Sequence, residues 1–116
     1  MNRQISAMLN ELDVNPKKWR HSLAYPLIRE IHTQISILQL MLKDEQIENT
    51  PIQRLELFRT IRRTLDELYI KVGIYIVNNR SSRKTERKLT SLQERLFSNL
   101  LDSELYWYIS NFHLFQ

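Results

Sequence analysis

The sequence predicts an all-α protein, an antiparallel up-down four-helix bundle that ends in an aromatic C-terminal tail. Three observations carry this. One glycine and three prolines punctuate all 116 residues, and apolar residues return at three- and four-residue steps almost throughout, a period that fits helix and no strand. The apolar steps fall into four amphipathic segments with short links, the pattern of a bundle. The length suits one domain, able to bury roughly two-thirds of the surface of its unfolded chain.

Helix one is expected over about 3–13, with Ile5, Met8, Leu9 and Leu12 on one face. Asn15-Pro16 then breaks the chain, because the residue before a proline is pushed out of the helical region. Trp19 and Leu23 lead to Tyr25-Pro26, where the proline suits the first turn of helix two, since its missing amide hydrogen does no harm there. Leu27, Ile28, Ile31, Ile35, Leu38 and Leu42 carry that helix over about 26–45, into the acidic run DEQIEN.

Helix three has the strongest start signal. Thr50 is placed as N-cap, Pro51 as the first helical residue and Gln53 three positions on, a capping-box spacing. Leu55, Phe58, Ile61, Leu65, Leu68, Val72 and Ile76 continue it over 51–78, about 40 Å at 1.5 Å per residue. Gly73 inside it costs about 1 kcal/mol relative to alanine and marks either a close approach of another helix or a tolerated defect.

The connector NNRSSRKTERK follows. Its asparagines can end a helix and its cations suit a helix C-terminus. Thr90-x-x-Gln93 or Ser91-x-x-Glu94 offers the next capping box, and Leu92, Leu96, Leu100 and Tyr108, with Phe97, Leu101 and Leu105 slightly rotated, carry helix four over 91–109. Residues 110–116 form the tail.

Composition narrows the function classes. No cysteine is present, which rules out disulfides and thiolate metal sites and agrees with a reducing compartment. The N-terminal residues and the weakly charged stretch Ile31 to Leu42 are too polar for a signal peptide or a spanning helix. His21, His32 and His113 have no spacing that puts two ligands on one helical face, so no metal is expected. There is no serine or cysteine nucleophile motif, and one glycine forbids a glycine-rich phosphate loop. No enzymatic activity and no cofactor are therefore expected.

Two features remain to be explained. The first is charge. The net +4 is clustered: Arg80, Arg83, Lys84, Arg87 and Lys88 crowd nine residues around the single carboxylate of Glu86, with smaller groups at Lys17, Lys18 and Arg20 and at Arg59, Arg62 and Arg63. This patch reads first as a solvated loop that needs no function, and otherwise as a nucleic-acid contact with steep salt dependence or an anchor to an anionic inner leaflet. The second is the end of the chain, LYWYISNFHLFQ, which has no formal charge in a protein that is 26% charged. Apolar surface of that size folds back on the bundle, docks on a partner or lies against a membrane.

Three stretches carry a family resemblance: Thr50-Pro51-Ile52-x-Arg54-Leu55, Leu89-Thr90-x-x-Gln93-x-x-Leu96-x-x-x-Leu100 after a basic loop, and the aromatic-rich end. The chain resembles the immunity proteins of lactic-acid bacteria, particularly those paired with pediocin-like (class IIa) bacteriocins. The resemblance covers the second half by residues and the first half by architecture. It implies a cytosolic protein, peripheral at the inner membrane face, that protects the producer cell by acting on a bacteriocin-engaged membrane receptor, a sugar phosphotransferase permease. Specificity would then fall on Tyr106, Trp107, Tyr108, Phe112, His113 and Phe115, and attraction to membrane or receptor on Arg80, Arg83, Lys84, Arg87 and Lys88. Two alternatives stay open: a small nucleic-acid-associated or regulatory protein using the basic cluster, and an oligomeric adaptor, a homodimer, joined through the helix-three stripe and the tail.

Overall fold

The computed structural model describes residues 2–12, 14–43 and 51–110. They form an all-helical bundle of four α-helices, α1 (Asn2–Asn10), α2 (Tyr25–Lys43), α3 (Pro51–Asn78) and α4 (Arg83–Ser110), with no strand among the described residues. A short 3₁₀ turn, Pro16–Trp19, stands between α1 and α2.

Local chemistry sets most of the boundaries. The break at Asn15-Pro16 becomes the 3₁₀ turn, which the apolar spacing does not predict. Asn15 is extended (φ −104°, ψ 108°) and its side-chain oxygen accepts from the Lys17 amide at 3.0 Å, capping the turn. Ser22 Oγ accepts from the Ala24 amide at 3.1 Å just before α2, whose second residue is Pro26. α3 covers the predicted range, and Asn79 closes it: its backbone amide and its side-chain amide both donate to the Tyr75 carbonyl, at 3.0 and 3.1 Å. The expected Thr50 cap, the last residues of helix two and tail residues 111–116 lie outside the described residues, and Ser110, expected in the tail, is the last residue of α4.

The main correction concerns α4. It begins at Arg83, two turns ahead of the expected start at 91, so most of the expected basic connector is helix. Ser82 is the cap: its Oγ accepts from the Thr85 amide at 3.2 Å, and its carbonyl takes the Glu86 amide at 2.9 Å. Lys and Arg are good helix formers. That propensity, the Ser82 cap and the burial of Leu89 and Leu92 outweigh two opposing effects: cations near the positive end of the helix dipole and the like-charge pairs 83/87 and 84/88.

All four segments feed one core. Ile5, Leu9 and Leu12 from the first, Ile28, Ile31 and Leu38 from α2, Ile61, Leu65 and Leu68 from α3, and Leu89, Leu92 and Leu96 from α4 are the large side chains most completely withdrawn from solvent. Burying such a side chain is worth roughly 1.5–3 kcal/mol before the entropy of ordering it. Leu57, absent from the sequence stripe, is also buried, whereas Leu55 and Ile76 are half-buried.

Neighbouring helices run in opposite senses. Going up α3, Phe58, Arg62, Tyr69 and Gly73 meet Trp107, Glu104, Phe97 and Gln93 in turn, going down α4. Met8 and Leu12 meet Asn99 and Arg95. Glu30 pairs with Lys71, while Met41 shares a groove with Gln53, Leu57 and Thr60. Asn10 accepts from Gln39 across α1 and α2. The result is an elongated body of 50 × 24 × 19 Å. No helix among the described residues is long and apolar enough to cross a membrane.

Candidate functional site

Winding residues 83–88 into helix redistributes the basic cluster. On a helix, positions three and four apart share a face and adjacent ones do not. Lys84, Lys88, Ser91 and Arg95 therefore fall on one stripe. Arg83 and Arg87 belong to the next face, where they border a shallow surface with Glu86, Thr90, Ser91 and Glu94. Arg80 stays ahead of the helix. All five expected cations are exposed, and those within α4 are divided between two helical faces.

The structure instead joins two of them to residues the sequence reading did not single out. Arg87 and Lys88 line a cleft with Lys18 and Trp19 of the 3₁₀ turn and with Ser91 and Arg95 of α4. Trp19 is buried and forms its floor. Lys88 Nζ stands 4.7 Å from the centre of the Trp19 ring, a cation–π distance worth about 0.5–2 kcal/mol. Arg95 is held from behind: its Nη1 donates to the Leu12 carbonyl at 2.7 Å and its Nε to the Ser91 carbonyl at 3.3 Å. Lys18 was visible as part of the 17–20 cluster. Arg95 becomes visible only when the 84-88-91-95 spacing is read as helix.

The far half of α4 carries a different surface. Phe97, Leu101, Leu105 and Tyr108 recur at steps of four, four and three, and each is between 45% and 54% exposed. Tyr69 of α3 tilts against Phe97 at 5.7 Å between ring centroids. Ile70, Ile74 and Val77, also on α3, are exposed as well. Trp107 is turned the other way and stacks on Phe58 at 4.9 Å. Of the residues expected to give specificity, Trp107 thus packs within the bundle and Tyr108 faces outward. The Tyr106 side chain, Phe112, His113 and Phe115 lie outside the described residues.

His21 and His32 are exposed, and among the described residues no three His, Cys, Asp or Glu side chains gather as a metal site would need. At this level the residues define an all-helical bundle with a cationic cleft near the start of α4 and an apolar seam along its second half. In comparisons with family models, curated proteins and solved structures, the chain matches none.

Proposed function

We propose that this protein is a non-catalytic interaction protein of the bacteriocin-immunity type, acting from the inner membrane face on a membrane receptor engaged by the bacteriocin. The observation that carries the reading is the seam of Phe97, Leu101, Leu105 and Tyr108. A row of large apolar side chains at helical spacing, with a tyrosine toward its end, has the composition of a docking face. It runs toward the uncharged C-terminal segment, which the resemblance makes the specificity region.

The basic first half of α4 supports the membrane side of the reading. Each cation near an anionic leaflet contributes about 1 kcal/mol within a Debye length. Residues 88 and 105 are about 25 Å apart along the helix at 1.5 Å per residue, so one end can face headgroups while the other meets protein.

The test is protection. A sensitive lactic-acid bacterium expressing the full chain is challenged with a panel of pediocin-like peptides, beside cells expressing the Leu101→Ser/Leu105→Ser variant, whose helicity is checked by circular dichroism. Survival with the native chain and killing with the folded variant are expected. Killing of both across the whole panel sinks the proposal.

A further inference from the structure

We infer that the cleft between the 3₁₀ turn and α4 binds a compact phosphate-bearing anion, either a free phosphate or diphosphate or the phosphate of a lipid headgroup. The inference rests on the cleft alone and stands apart from the immunity reading. Lys18, Arg87, Lys88 and Arg95 line it from two segments, with Trp19 and Ser91, and none of these described lining residues is a carboxylate. The neighbouring shallow surface, which shares Arg87 and Ser91 with the cleft, also carries Arg83, Glu86 and Glu94 and so has mixed charge.

The cleft is also ordered in advance. The two carbonyls behind Arg95 engage two of the guanidinium's five N–H donors and fix its plane. Trp19 holds Lys88 from below, and its buried ring keeps water from one side of the cleft, which strengthens charge interactions there. Ser91 adds a hydroxyl donor on an exposed position. Charged donors held in place before binding are what an anion site requires.

The arrangement favours a compact anion over a nucleic-acid strand. A backbone track needs cations spaced along a groove, whereas these line a single cleft. Among the α3 arginines, Arg62 is bonded to Glu104 at 2.8 Å, and Glu104 lies about 20 Å along α4 from Ser91.

The full chain, labelled with ¹⁵N, is titrated with inorganic phosphate and then pyrophosphate at constant ionic strength, and its amide shifts are followed. Saturable shifts confined to Lys18, Trp19, Arg87, Lys88, Ser91 and their neighbours are expected. Arg87→Gln/Lys88→Gln weakens pyrophosphate binding about tenfold or more, the scale of a lost charge-assisted contact. Arg59→Gln/Arg63→Gln removes the same charge from exposed positions on α3 and changes binding less than about twofold. Ser91→Asp, which puts a carboxylate into the cleft from an exposed helical position, abolishes binding and decides the matter if the first variant fails to fold.

Sedimentation with phosphatidylcholine vesicles, with and without phosphatidylglycerol, then separates the sources. Capture by the anionic vesicles that is lost in the cleft variants and kept in the α3 variant assigns a headgroup. Pyrophosphate binding without capture assigns a soluble phosphate. Shifts that never saturate, or equal losses in the cleft and α3 variants, overturn the site. Binding of a duplex oligonucleotide that depends as much on Arg59 and Arg63 as on the cleft replaces it with a nucleic-acid surface.

Discussion

The indole of Trp107 stacks on the phenyl ring of Phe58, with 4.9 Å between ring centroids and 22° between their planes. This contact ties the last turns of α4 to the first turns of α3 and divides the aromatic end of the helix by role. Trp107 faces the bundle, while its neighbour Tyr108, turned by a further 100°, is 53% exposed.

That division predicts opposite behaviour for adjacent residues. Trp107→Ala lowers stability by about 2 kcal/mol, less than the full cost of a buried tryptophan because the residue is not completely withdrawn from solvent. Tyr108→Ala changes stability by less than about 0.5 kcal/mol yet reduces protection in the bacterial assay. Urea unfolding of both variants checks the first part, and a larger loss from Tyr108→Ala than from Trp107→Ala contradicts it.

Gly73 is predicted to be a position that can be improved. A Cβ there lies 2.8 Å from Gln93 Nε2, the far end of a flexible side chain, so a small movement of Gln93 makes room. Gly73→Ala then gains up to about 1 kcal/mol from helix propensity. A melting temperature lower than that of the native chain shows instead that the approach of α3 and α4 needs glycine.

Asn99, only 7% exposed, donates from Nδ2 to the Met8 carbonyl at 3.2 Å and pins α1 to α4. The same carbonyl also accepts from the Glu11 amide at 3.2 Å, so Asn99→Ala leaves it partly satisfied. The expected cost is about 1–3 kcal/mol, with the amides of α1 losing hydrogen-exchange protection ahead of those in α3. Uniform loss across the helices counts against this clamp.

Ser82 is predicted to govern the first turns of α4. Ser82→Ala costs about 1 kcal/mol and frays residues 83–87, while Ser82→Asp keeps the cap. Carbon chemical shifts of Arg83 to Arg87 report the fraying directly. Unchanged helical shifts in Ser82→Ala show that packing alone holds this start.

Much of the fold was legible because its signals are local. The 3-4 spacing of leucine and isoleucine marked four helices, and Pro51 and the asparagines near 78 marked both ends of α3. The start of α4 was misread for an equally local reason: Thr90 and Ser91 head capping-box spacings while Ser82 has Thr85 three residues on, and a run of cations looks alike in a loop and on an exposed helical face. The 3₁₀ turn at Pro16–Trp19 is too short to show any period.

By itself, then, the sequence determined the helical class, most of the core and the presence of separate basic and aromatic regions, since propensity, periodicity and capping act within a turn or two of chain; Leu57 joined the core and Tyr108 left it. Only the tertiary structure decided that Lys18 and Trp19 meet Lys88 and Arg95 around one cleft, and that Trp107 turns inward while Tyr108 turns out. Those outcomes depend on where distant segments are brought by burial of the shared core, and burial is non-directional. Its registry is set by how the side chains of four helices pack together, which no single stretch of residues encodes.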